Sequence, residues 1–220
     1  MKYFTSVLLI ASAFATSSCS TSSPRAALPE HPVEAPDNYD VVLLPADDFS
    51  SDYAADLAKI VEKDTGLRIR AMLPLGTRDW QPYPGTIQYD PELMKNLALP
   101  VIKRLEMSYG GKLYIILTTR DINSADRNLR FVFAQHYQAQ NVSVVSAARM
   151  AIGEHGAIAK TEIIQNRLRK MLLRTIGIQY YNLARSTDIR EVMYSPLMGL
   201  DDLDAMGLVL NAKGRGPSVR

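Results

Sequence analysis

Lys170 and Arg174 stand four residues apart in the run RLRKMLLRTIGIQYYNLARSTDIREVMYSP, residues 167 to 196. On a helix that spacing puts both cations on one face, where like charges repel by a few tenths of a kcal/mol. A face of this kind suits an anion, either a carboxylate from a partner or one of the chain's own acids such as Asp188 or Glu191. Other residues with chemistry are few. The chain has three histidines, His31, His136 and His155. His31 is incidental in a Pro- and Ser-rich stretch, and His136 and His155, joined at most by Glu154, match no metal-ligand spacing. No G-x-S-x-G nucleophile elbow and no glycine-rich phosphate loop is present.

Composition narrows the field further. A chain of 220 residues, 47% hydrophobic and 22% charged, suits one globular domain with short tails. The net charge is +2 and Lys and Arg are dispersed, so nothing points to nucleic acid. Residues 1–18 read as an export signal: Lys2, an apolar run from Val7 to Ala15, then small residues. Cys19 is the single cysteine, which leaves the folded part without disulfides or a Cys-ligated zinc site. Its setting resembles a bacterial lipobox, with Thr16 where that motif has Leu. The resemblance implies cleavage before Cys19, a diacylglycerol on its sulfur, and a membrane partner through that lipid. The protein is then expected in the bacterial cell envelope facing the periplasm, and Ser20 in place of Asp favours the outer membrane. Residues 19–38 form the lipidated Cys and a flexible linker, residues 39–209 the domain, and residues 210–220 a disordered tail.

The elements that must position Lys170 and Arg174 follow in order. Val41 to Leu44 reads as a buried strand ending at Pro45. Tyr53, Leu57, Ile60 and Val61 mark a helix behind Ser50 and Ser51, closed by Gly66. Leu67 to Leu73 is a second strand, giving a β-α-β unit with a parallel pair. Asp90 and Pro91 start a helix with Met94, Leu97, Val101 and Leu105 inward; Pro100 is expected to kink or split it, and Gly110-Gly111 ends it. Lys112 to Thr118 is a buried strand, Leu129, Phe131 and Phe133 alternate as a one-faced strand, and Val142 to Ser146 is the last. Thr161 is the cap of a helix on which Ile164, Leu168, Met171 and Ile176 recur, with Gly177 as the glycine that ends or bends it. Leu200 to Leu208 is a short terminal helix with Asp201 and Asp202 at its start.

Helix, glycine, loop and V-M-Y-S turn in that order resemble a metzincin metallopeptidase. The ordered pieces YPGTIQYDPELM, KLYIILTTRDI, LRFVFAQ and VSVVSAARM are similar, more specifically, to archaemetzincins, over about residues 39 to 206. The resemblance implies an α/β fold: a mixed sheet backed by helices, an active-site helix, a Met-turn at Met193 and a C-terminal helix. With Gly177 on the family glycine, Lys170, Arg174 and Tyr180 occupy the three zinc-ligand positions and Met171 the general-base position. Zinc hydrolysis needs three imidazoles and a carboxylate base. No His follows His155 in this sequence, and two cations repel Zn²⁺. No catalytic residue, metal or cofactor is therefore expected. Instead Lys170, Arg174 and the Tyr180 hydroxyl are expected to converge as an anion pocket. The segment Leu129, Phe131, Phe133 corresponds to the edge strand that holds substrate, where a peptide can add by backbone pairing. Trp80 is either an exposed contact residue or a cover over the core. The function these readings imply is a catalytically inactive, lipid-anchored protein that binds a protein or peptide. Two alternatives stand beside it: a metal-dependent peptidase rebuilt around His136 and His155, and a structural envelope protein with a vestigial cleft.

The anchor has a direct check. Expressed whole in a Gram-negative bacterium, the chain should partition into the detergent phase and Cys19→Ala into the aqueous phase; equal partitioning would rule the lipid out.

Overall fold

The structure, a computed structural model, describes residues 38–124, 129–212 and 217. The expected export signal, Cys19, His31 and the linker up to residue 37 lie outside these residues, as does most of the tail. The centre is a five-stranded sheet of β1 (Val41–Pro45), β2 (Ile69–Ala71), β3 (Leu113–Thr118), β4 (Ala134–Tyr137) and β5 (Val142–Ser146), in the order β2-β1-β3-β5-β4. All neighbours are parallel except β4, which runs antiparallel to β5 at one edge. The sheet is mixed, as expected. β1, β3 and β5 are buried throughout, which is why each reads as a continuous apolar run: helices cover both of their faces.

Alternate residues of the strands feed two cores. Val41, Leu43, Leu113, Ile115, Leu117 and Val145 point to the side of α1 (Ser51–Thr65) and α3 (Thr161–Gln179). Val42, Leu44, Tyr114, Ile116, Val142 and Val144 point to the side of α2 (Pro91–Tyr109). Local signals set the helix ends. The Ser50 hydroxyl accepts from the Tyr53 N–H at 3.3 Å, and the Asp90 carboxylate from the Glu92 N–H at 2.8 Å. Gly66 and Gly110 close α1 and α2 in the left-handed region.

Four expectations are corrected. The first concerns α2, which Pro100 does not split: the helix is continuous through it. That ring is exposed, and so is Asn96, whose carbonyl it leaves without a helical donor on the solvent side. The edge strand, secondly, is Ala134–Tyr137 and not the F-V-F segment before it. The regular pairing of β4 with β5 runs from Ala134 to Tyr137; before it the Phe133 carbonyl still accepts from the Ser146 N–H, and the Val132 N–H pairs with the Ile122 carbonyl. Phe131 and Phe133 then lie edge to face, with ring centroids 5.1 Å apart. Thirdly, Thr161 is the first helical residue of α3, behind Lys160, and its side chain caps nothing. The terminal helix α4 (Leu200–Ala205), finally, stops short of Leu208.

Gly177 does not end α3, which runs on to Gln179. Its role is space. A Cβ at this position would lie 2.6 Å from Met193 Sδ and 3.2 Å from Leu210 Cδ1, closer than packed atoms tolerate. Gly177→Ala should therefore lower thermal stability by about 1–2 kcal/mol despite its better helix propensity. Added to Met193→Ala, the same change should stabilise; if its sign is unchanged in that background, the close approach does not explain the glycine.

Candidate site on the buried helix

From Arg167 onward α3 is buried on nearly every side, and it carries three cations inward: Arg167, Lys170 and Arg174. Each is met by main-chain oxygen from a different segment. Arg167 donates to the Met150 and Ile152 carbonyls at 2.8 and 2.6 Å, and its other fork grips the Asp204 carboxylate at 2.7 and 2.5 Å. Lys170 Nζ donates to the Leu203 and Asp204 carbonyls at 2.9 and 2.8 Å, in the last turn of α4. Arg174 Nη1 donates to the Val192 and Tyr194 carbonyls at 2.9 and 2.6 Å, either side of Met193. The helix thus pins the turn before it, the terminal helix after it and the Met-bearing turn between them.

The three residues read as one pocket do not converge. Tyr180 is buried beyond them, its hydroxyl donating to Asp40 Oδ1 at 2.8 Å at the start of β1. Burial and that bond to Asp40 raise the Tyr180 hydroxyl well above the ordinary tyrosine range. Burial likewise presses the Lys170 ammonium down, with Asp204 opposing and Arg167 adding to the effect. Met171 and Met193 are core residues. Asp188 is no counter-ion for Arg174. It pairs with Arg190 at 2.6 Å, and hydrogen bonds from the Arg190 side chain and backbone hold its carboxyl at about 2.

A cleft of about 320 Å³ opens beside the Arg174 end of the ladder. Phe131, Phe133, Ala134 and His136 form one side, Met171, Arg174 and Ile178 the floor, and Arg185 with Ser195 to Met198 the other side. Burial depresses the Arg174 pKa, and the nearby Arg185 adds to it. Among the described residues no carboxylate lies within ion-pair distance of either arginine.

The histidines do not rebuild a metal centre. His136 Nδ1 lies 3.0 Å from Ser143 Oγ across the β4–β5 pair, while His155 is exposed in a separate turn, Glu154–Gly156. Among the described residues no three of His, Cys, Asp and Glu come close enough to hold a metal ion. Nor do Lys170, Arg174 and Tyr180, which the sequence resemblance sets at ligand positions, fit zinc: two are protonated donors already bound to carbonyls, and the third is a phenol donating to Asp40. Trp80 covers the core, 5% exposed, with the Arg120 guanidinium 5.4 Å from its ring. Sequence reasoning missed Arg167 and Arg185. The signal for Arg167 was its place three residues before Lys170 and one before Leu168, a cation on the rim of the apolar stripe.

A long buried helix behind a mixed sheet, followed by a turn that seats a methionine beneath it, defines a metzincin-like architecture. The solved structures it resembles make this narrower: the fold is archaemetzincin-like. A zinc-dependent peptidase from Methanocorpusculum labreanum superposes with a TM-score of 0.63 at 19% identity, over 79% of this chain and 96% of that one. Archaemetzincin from Archaeoglobus fulgidus, complexed with malonate, gives 0.57 at 17% identity, over 78% and 95%. Archaemetzincin from Methanopyrus kandleri gives 0.56 at 19%, over 77% and 87%. No family profile and no curated protein matches the chain.

Two outcomes follow from the ladder. Lys170→Met leaves two carbonyls of α4 without their charged donor and should cost about 2–4 kcal/mol in chemical denaturation, with the loss of order centred on α4. A loss under 0.5 kcal/mol would mean that water replaces the ammonium at no cost. Tyr180 has a folded pKa above its unfolded one, so its stabilisation is whole below about pH 10 and is lost as pH rises through the folded value. Tyr180→Phe should lower stability at pH 7 by about 1 kcal/mol and flatten the alkaline limb.

Proposed function

We propose that this chain is a non-catalytic protein of archaemetzincin-like fold that binds an extended peptide segment along β4, while an N-terminal lipid on Cys19 holds it at the cell envelope. The observation that carries the reading is the use of Lys170 and Arg174. Where the family resemblance places metal ligands, these side chains spend their donors on the carbonyls of α4 and of the turn around Met193. Neither offers a lone pair to a metal or a base to a water molecule, and Met171 at the base position is a buried thioether.

What such a helix leaves intact is the geometry of binding. β4 is an edge strand, and an edge presents a row of backbone donors and acceptors to which another strand can add. The cleft below it is lined by Phe131, Phe133, Ile178 and Leu197, which suit apolar side chains of such a segment. Export and lipidation rest on residues 1–19, read from the sequence.

The test is incubation of the purified soluble form with a mixture of extended peptides, followed by mass spectrometry for cleavage and by amide chemical shifts for binding. Shifts confined to β4 and to residues 195–198, with no cleavage, are expected. Chelator-sensitive cleavage would overturn the reading in favour of a peptidase, and no shifts at all would favour a purely structural protein.

A further inference from the structure

Arg174 is only partly used by the fold. Nη1 spends both hydrogens on the Val192 and Tyr194 carbonyls, whereas Nε and Nη2 have no partner among the described residues. These two atoms form the side-on fork that matches the two oxygens of a carboxylate. The residue is 7% exposed, and the part of the side chain that reaches solvent lines the cleft under β4. Arg185 stands exposed at the same cleft, near enough to disfavour the Arg174 charge. Two cations beside apolar walls, with no acid among the described residues paired to either, is an arrangement that a bound carboxylate would complete.

Strand geometry says how the carboxylate arrives. Ala134 and His136 both face the cleft, since alternate residues of a strand share a side. A segment added to β4 sends every second side chain the same way, toward the cleft that Arg174, Phe133 and Leu197 line. We infer that Arg174 and Arg185 form a binding site for an acidic side chain, Asp or Glu, flanked by apolar residues at alternate positions of an extended peptide. The inference rests on the peptide-binding reading above and names what the site selects.

The probe is an acetylated, amidated hexapeptide of sequence Val-Thr-Glu-Thr-Val-Thr, compared with its Gln twin and with the Gln peptide carrying a free carboxyl end. Binding to the soluble protein is measured by titration calorimetry at low and high salt. The Glu peptide should bind about tenfold or more tighter than the Gln twin and weaken with salt, as charge-assisted pairing requires. Arg185→Glu should abolish the preference. That residue makes no hydrogen bond among the described residues, so the variant folds, whereas changing Arg174 also releases the turn around Met193. Equal binding of Glu and Gln peptides overturns the carboxylate site and leaves peptide binding standing. Binding of the free-ended Gln peptide in place of the Glu peptide overturns it in favour of a chain end. A Glu preference untouched by Arg185→Glu overturns the location, and binding of no peptide overturns both readings.

Discussion

A cation removed from water must find oxygen elsewhere, and in this protein that requirement organises the half of the molecule that follows the sheet. Placing an unpaired ammonium or guanidinium in a low-dielectric interior costs several kcal/mol, more than a marginally stable domain can absorb. α3 buries three such groups along one line, and each is satisfied only if a particular stretch of chain presents its carbonyls at one place. The segments holding Met150, Leu203 and Val192 are a single 3-10 turn, the six-residue helix α4 and an irregular turn, all short. The cations position them, and the cost of leaving any cation unmet makes the arrangement specific.

This clamp works together with packing. Gly177 lets the turn around Met193 approach α3 more closely than any larger residue would allow, and Arg174 one turn earlier ties the two carbonyls flanking the methionine. A methionine seated under a helix by hydrogen bonds needs no ion to hold it. Here the cradle is held by interactions within the chain. Arg174 also faces outward to the cleft, so the residue that closes the turn has donors left for a ligand.

Much of the fold was legible from local patterns. The apolar runs of β1, β3 and β5, and the caps Ser50, Gly66, Asp90 and Gly110, depend on neighbours in the chain and were read at nearly their observed limits. The ordered pieces after residue 82 carried the archaemetzincin likeness. What escaped depends on distant partners. Phe131 and Phe133 alternate like a strand, yet the regular pairing with β5 begins only at Ala134, the Phe133 carbonyl making one last bond to the Ser146 N–H while Val132 turns to Ile122. Lys170 and Arg174 share a helix, but whether they face a cleft or a carbonyl is settled by residues 18 to 34 positions away. Tyr180 reaches Asp40 across 140 positions, which no spacing rule foresees. The glycine at 177 was recognised for its type and given the wrong reason, because its neighbour Met193 is near only in the folded chain.

The central proposal is that cations bound to carbonyls occupy the positions that the sequence resemblance assigns to metal ligands. Metal per chain, by elemental analysis of the soluble form beginning at Ser20 and purified without chelator or histidine tag, tests it most directly. The account predicts a folded, cooperatively unfolding protein with far less than one equivalent of zinc. About one zinc per chain, lost when His136 or His155 is replaced, would contradict it.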